Sequence, residues 1–380
     1  MPTGWKEDKL LNCLNVPSKL AGIKLSEYEK KGDFPVFDQG KDYISGYSSK
    51  RDLVNKNVPA ILFGDHTRIV KYIKNPFIAG ADGTKIFWAK DAFDPLFLYY
   101  VILNQKVPNT GYNRHFKFFK DTNVQLPESK TEQERIAEIL GTVDEDIAKT
   151  QEVIEATEKL KRGLMQQLFT RGIGHTKFKE TKIGQIPEEW NVVKLSDVAT
   201  VERGKFSHRP RNAPEFYGGD IPFIQTGDVV NSDGKISSYT QTLNEKGLSV
   251  SKLFKKGTIV ITIAANIGDT GILQFDSCFP DSLIGITSSK KIDSIFLEYY
   301  LRTQKEYLNS ISTQSAQKNI NLEKLNPLVV VLPKKEEQKQ IAEILSAVDK
   351  KISVNEKLKE KLTLLKKGLM QDLLSGKIRT

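Results

Sequence analysis

The chain contains one stretch twice, and this repeat constrains its fold more than any other feature. Residues 132–170 read EQERIAEILGTVDEDIAKTQEVIEATEKLKRGLMQQLFT, and residues 337–375 read EQKQIAEILSAVDKKISVNEKLKEKLTLLKKGLMQDLLS. The offset is 205 throughout, and 18 of the 39 aligned positions are identical, far beyond chance. This is an internal duplication.

Each copy reads as one long helix. In the second copy Ile341, Leu345, Val348 and Ile352 step by four, three and four. After a polar gap at Asn355 the rhythm resumes with Leu358, Leu362, Leu365, Leu369 and Leu373. The first copy has Ile136, Leu140, Val143, Ile147, Ile154, Leu160, Leu164 and Leu168. Such a rhythm makes a narrow apolar seam that needs a partner helix. The remaining positions are mostly Glu, Lys and Gln, good helix formers on a solvated surface. At roughly 1.5 Å per residue each helix spans about 55 Å, too long to hide inside one small domain. Either each helix packs on its own neighbouring domain, or the two copies pack on each other. The position-by-position match of the seams favours the second.

The segments ahead of the helices also begin alike. Residues 2–10 read PTGWKEDKL and residues 187–195 read PEEWNVVKL, matching Pro2 with Pro187, Trp5 with Trp190 and Leu10 with Leu195. The repeating unit is therefore a globular domain followed by a long helix, over 1–131, 132–175, 176–336 and 337–380. The first domain has strand-like runs at 59–63 and 85–89 and a turn at 80–83. A short helix is expected at 95–103, with Asp94 as cap and Pro95 in the first turn. The second domain has strand-like runs at 222–225, 258–264 and 328–332, a helix at 294–304 and a polar loop at 310–321. Between them, 171–186 carries Gly172, Gly174 and Gly184 and ends the first long helix. Similar frames with dissimilar interiors suggest one architecture holding two different binding faces.

With 380 residues, 39% hydrophobic and 27% charged, the chain has room for two or three cores and for long solvated faces. Its net charge of +10 suggests a polyanionic partner, most simply nucleic acid. Cys13 and Cys278 are too few for a disulfide framework and lack metal-ligand spacing, so both read as buried small residues. The start, Met-Pro-Thr-Gly-Trp, has neither a basic nor an apolar region, and no long apolar run follows. A soluble cytoplasmic protein without membrane contact is expected.

Catalytic signatures are missing. There is no phosphate-binding Gly-x-x-x-x-Gly-Lys-Ser/Thr loop. Asn75-Pro76-Phe77 lacks the second proline of an amino-methyltransferase site and reads as a turn before a strand. Pro280-Asp281 is followed by Ser288-Ser289-Lys290, without the further acid a metal-dependent nuclease needs. Gly64-Asp65-His66 has no nucleophile, and His115, His175 and His208 are scattered singly. No catalytic residue, metal or cofactor is expected on this chain.

Polar, basic and aromatic loops stand out instead. In the first domain they hold His66, Arg68 and Lys71, then Tyr112, Arg114, His115 and Lys117. In the second they hold Lys205, Ser207, His208, Arg209, Arg211 and Asn212, then Gln225 and Thr226, then Gln314, Gln317, Lys318 and Asn319. Arg pairs bidentately with guanine and Asn or Gln with adenine, while Lys holds phosphates. The stretch 203–212 is the densest, with four basic side chains besides His208 and Asn212. These residues are the candidate nucleic-acid contacts.

Several of these stretches together resemble the specificity subunit of type I restriction–modification enzymes, over essentially the whole length. The carrying residues are Ile-Pro-Glu-Glu-Trp190 with Lys194-Leu195, the Leu-Pro…Glu-Gln…Ile-Ala-Glu-Ile-Leu segments at 126–140 and 332–345, and the Lys-Arg/Lys-Gly-Leu-Met-Gln motif late in both helices. Gly-Asp-His-Thr-Arg68 and Gly-Asp-Thr-Gly271 resemble stretches of target-recognition domains. The resemblance implies an α+β fold, with two globular target-recognition domains separated by two long antiparallel helices as a coiled coil with internal pseudo-twofold symmetry. It implies a non-catalytic subunit that reads a bipartite, gapped site in double-stranded DNA through those loops, with Arg114 and Arg209 or Arg211 as candidates for base reading and Lys117, Lys205 and Lys318 for phosphate. Two methyltransferase subunits dock on such a frame and restriction/translocase subunits join them, bringing S-adenosylmethionine, ATP and magnesium that this chain does not bind. Open alternatives are the recognition subunit of a related two-subunit cutting-and-methylating enzyme and a free-standing bipartite DNA-binding protein.

Overall fold

The computed structural model describes residues 2–17, 20–80, 82–264, 266–312 and 319–380. The fold is α+β. It divides into two compact units, Met1–Val153 with Asn355–Thr380, and Ile154–Val354. Each unit therefore holds one globular part and a portion of both long helices, Lys130–Arg171 and Lys335–Leu373.

The matching segments of the sequence build the same frame in each unit. In the first, strand Trp5–Lys9 pairs antiparallel with Asn123–Pro127, the strand that leads into the first long helix. In the second, Asn191–Lys194 pairs antiparallel with Val329–Leu332, which leads into the second. The expected short helices form at Pro95–Leu103 and Ser294–Thr303, capped by the carboxylates of Asp94 and Asp293. The backbone N–H of each capping aspartate donates to a long-helix glutamine, Asp94 to Gln133 at 2.8 Å and Asp293 to Gln338 at 2.7 Å. Both glutamines are repeat identities, so conserving the pair within the chain conserves the joint between short and long helix.

The two long helices run antiparallel in each unit. In the first unit Asp144 pairs with Lys366 at 2.5 Å, and seven residues on, Gln151 accepts from Lys359 at 2.6 Å. In the second unit Lys161 pairs with Asp349 at 2.5 Å, and Glu337, twelve residues earlier, meets His175 beyond the other helix. The helices pack on each other and also on the globular parts. Ile136, Ala137 and Leu140 share a core with Met370, Leu373, Trp5, Phe97 and Leu126. Leu168 and Phe169 share one with Ile341, Leu345, Trp190, Phe296 and Val330.

The seam departs from the expected residues in the middle of both helices. Leu160, Leu358 and Leu365 are 55%, 45% and 50% exposed. Counting six residues from buried Ile154 to Leu160 turns about 240° around a helix of 3.6 residues per turn. The face is held instead by Thr157, buried, and Lys161, whose ammonium reaches the partner helix. Between its apolar ends the seam mixes buried Val143, Ile154 and Ile352 with hydrogen-bonded and charged contacts.

The linker also carries more structure than its glycines announce. Gly172 takes a φ of +64° just after the first long helix, and a side chain there would strike Glu337, His175 and Trp190. A two-stranded hairpin follows, Phe178–Thr181 with Gly184–Pro187. Its strands are short and polar, so periodicity alone does not reveal them.

The interiors differ, as the sequence suggests. The first globular part has a four-stranded antiparallel sheet in the order Leu14–Asn15, Thr84–Ala89, Ala60–Gly64, Val70–Ile73, plus a second sheet built around Phe77–Gly80. The second has a five-stranded sheet in the order Ala199–Arg203, Leu283–Ser288, Ile259–Thr262, Thr270–Leu273, Gly234–Ile236, and a four-stranded one centred on Tyr217–Phe223 and Ser277–Cys278. Cys13 and Cys278 are fully buried free thiols. Among the described residues no helix is long and apolar enough to cross a membrane.

One buried charge in the second unit sets a pH dependence. Glu298 is 2% exposed and accepts from Arg302 at 2.6 Å and Thr270 at 2.9 Å. Burial pushes its carboxyl above the usual range, with Arg302 pulling the other way. Replacing Arg302 by Met leaves that carboxylate buried and unpaired, which costs about 3–5 kcal/mol at neutral pH. A carboxyl raised in the folded state contributes stability at low pH that is lost as pH rises through its folded value. Urea denaturation of Arg302→Met should therefore show a deficit that shrinks as pH falls below neutral; a deficit independent of pH would refute the assignment.

Candidate nucleic-acid interface

In the first unit the fold brings the two candidate loops together. His115 is completely buried: its Nδ1 lies 2.9 Å from the carbonyl of Asp65, and the amide of Phe116 donates to the Asp65 carboxylate at 2.7 Å. These bonds staple 109–117 to the turn at 64–68. Above the staple, His66 and Tyr112 stack at 4.5 Å between centroids with their planes 9° apart. Tyr112 is 87% exposed. Arg114 is exposed beside Asp82, 3.9 Å away. Lys117 is exposed with its ammonium over the Phe118 ring.

Two expected contacts are scaffold instead. His115 has no surface to offer. Lys71 is buried, donates to the carbonyl of Asp42, and is held below the usual lysine range by burial. Arg68 is half-buried at a φ of +64° and donates to the Val107 carbonyl at 3.3 Å. Gln39, which the sequence does not single out, organises the turn. Its side chain accepts from the His66 amide at 3.0 Å and donates to the Asp82 carbonyl at 2.8 Å. No local pattern marks it, because its partners lie 27 and 43 residues away.

In the second unit the 203–212 loop is gathered by one aspartate. Arg203 donates to the carbonyl of Asp281 at 2.6 Å, and Arg209 and Arg211 both reach its carboxylate. Arg209 also donates to the carbonyls of Phe206 and His208, at 2.6 and 2.8 Å. Phe206 anchors the loop in a small aromatic core with Phe216 and Phe223, and His208 lies on Phe216 at 4.2 Å. Ser207 donates to Val250, while Lys205 and Asn212 stay exposed. Asp281, which lacks the further acid a metal-dependent nuclease needs, orients guanidiniums instead. The pairs are half-exposed, so their value is orientation more than stability.

Beside these arginines lies an open concavity of about 670 Å³, lined by Arg211, Asn212, Tyr217, Phe223, Gln225, Gln241 and Ser282 among others. Gln225 sits at the N-cap of the turn Thr226–Val230, so Thr226 opens that helical turn. Asn319 is half-buried and bridges to Ala264, so it belongs to a different part of the unit. Gln314, Gln317 and Lys318 lie outside the described residues.

The family model described as the type I restriction modification DNA specificity domain matches this chain twice, over residues 2–158 and 187–364. The chain belongs to that family. Each match of this specificity family covers one copy of the frame and most of its helix. The chain is 30% identical over its full length to the specificity subunit of the type I restriction enzyme MjaVIII of Methanocaldococcus jannaschii, covering 94% of that protein. It is 34% identical over 73% of its length to the putative MjaX specificity subunit of the same organism, spanning 63% of that relative. Among solved structures, a type I S subunit from M. genitalium superposes with a TM-score of 0.66 over 97% of this chain and 96% of that one. At 16% identity that match speaks for the specificity fold alone.

Proposed function

We propose that this chain is the sequence-reading subunit of a type I restriction–modification enzyme, each globular part reading one half of a gapped site in double-stranded DNA. The supporting observation is the contrast between frame and face. Two copies of one scaffold carry unlike polar surfaces: a His66–Tyr112 stack with Arg114 in one, and arginines gathered on Asp281 in the other. A duplicated reader with different faces suits an asymmetric target. Methyltransferase subunits supply the adenine methylation, two of them on the two copies of the frame, and restriction subunits supply cleavage. The chain itself contributes no catalytic group.

The test is methylome sequencing of cells expressing the chain with its neighbouring methyltransferase, against cells with the methyltransferase alone. A methylated adenine in each half of an asymmetric gapped motif, present only with this chain, is expected. No new methylation from folded, associated proteins would remove the reading.

The loop roles separate in a second measurement. Arg211→Ala should relax one base pair by about 1–3 kcal/mol and leave the others intact. Lys205→Ala should weaken all sequences alike and lower the salt slope of binding by about 1. Equal losses on cognate and random duplexes for both variants would withdraw base reading from Arg211.

A further inference from the structure

We infer that Gln241, paired with Gln225, is a specificity-determining residue of the second unit and reads the major-groove edge of an adenine. This rests on the DNA-reading function proposed above and goes beyond it in naming the residue and the base.

Gln225 donates from Nε2 to Oε1 of Gln241 at 3.0 Å. The two residues come from different elements. Gln241 opens a strand, Gln241–Leu243, and stands opposite Phe223 in the antiparallel ladder. Gln225 caps the helical turn that follows that partner strand. Asp228 ties the two segments together: its carboxylate accepts from the Gln225 amide at 2.8 Å and from the Thr240 hydroxyl at 3.3 Å. The pair is thus positioned by three polar contacts at a sheet edge, in the concavity that Phe223, Arg211 and Asn212 also line.

An amide pair of this kind has one carbonyl oxygen and one amino group left over. Reversing both amides exchanges which glutamine supplies which, and the surplus is the same. A surplus of one acceptor and one donor complements adenine, which offers its N6 amino donor and its N7 acceptor side by side. Guanine offers two acceptors there and leaves the carbonyl oxygen facing another oxygen. The neighbouring arginines suit guanine by the same rule, so the concavity carries readers for both purines. Gln241 escapes a sequence reading because its immediate neighbours, Thr240 and Thr242, are neither basic nor aromatic; only the fold sets it against Gln225.

The test compares the methylome of cells carrying the wild-type chain and its methyltransferase with cells carrying Gln241→Ala or Gln241→Glu. The folded state of each purified variant is checked by thermal melting. With Ala, discrimination at a single A·T pair in one half-site should fall about tenfold, while the other half-site keeps its motif. With Glu, the surplus groups are all acceptors, and preference at that position should move toward cytosine, whose N4 amino group donates. An unchanged motif in both variants overturns the inference, as does relaxation at a G·C pair, in both half-sites, or uniformly at every base. A wild-type chain that directs no gapped methylation overturns the underlying function and the inference with it, and that outcome is visible before any variant is made.

Discussion

Seven residues inserted into both long helices, within 148–158 and at the matching 353–363, should lengthen the unread gap of the methylated motif by about three base pairs. One heptad adds about 10 Å of helix axis, and base pairs repeat every 3.4 Å or so. A heptad shifts the facing stripe by only about 20°, so the antiparallel contacts of each unit can re-form. DNA turns by about 100° over three base pairs, since a full turn takes 10–10.5. The two reading faces therefore meet their half-sites at a poorer angle, and the methylation rate should fall along with the change of gap. Both helices must be lengthened together, because Asp144 with Lys366 and Lys161 with Asp349 fix their register. Methylome sequencing reads the outcome. A folded double insertion that still modifies the original spacing would show that the helices do not set the gap.

Trp190→Ala should cost about 3–5 kcal/mol of stability in urea denaturation. Trp190 is 1% exposed and sits against Gly172, where even a methyl group would collide with its ring. Its Nε1 donates to Glu337 at 2.9 Å, and the other oxygen of Glu337 accepts from the Ile173 amide and lies 2.9 Å from His175. One indole thus joins the end of the first long helix to the start of the second. Trp190→Phe keeps most of the packing but leaves Glu337 short of a donor, and should cost about 1–3 kcal/mol. Trp5 makes the equivalent bond to Glu132, at 3.3 Å, where Arg379 takes the part of His175. A loss below 1 kcal/mol for Trp190→Ala would mean that the joint carries little of the fold's stability.

The frame was legible in the sequence because duplication repeats its joints. Trp5 and Trp190, Glu132 and Glu337, and Asp144 and Asp349 are matched by simple offsets, and the structure uses each pair in the same way. The short helices were equally plain, since Asp94-Pro95 announces its own cap. The middle of the seam was not, because Thr157 and Lys161 occupy it while nearby leucines face solvent. Of the reading faces, the sequence marks the basic loop 203–212 but not Asp281, which lies 70 residues beyond Arg211. Residue type suggested DNA contact for His115 and Lys71, whereas burial makes them staples. A surface assembled from distant loops is specified by tertiary pairing, and pairing of that range leaves no local periodicity to read.

The polar grip between the helices has a consequence for how such a chain can arise. Tyr100 donates to Asp144 at 2.7 Å while Lys366 closes on the same carboxylate; Tyr299 donates to Asp349 at 2.6 Å while Lys161 does likewise. Each copy of the repeat therefore owns an aspartate to receive and a lysine to give. Either copy is the complement of itself, as key and lock cut on one blank. Two identical half-length chains could clasp through the same contacts in an isologous pair. Joining them into one polypeptide preserves that clasp and frees the two faces to diverge, so that a symmetric grip can serve an asymmetric text.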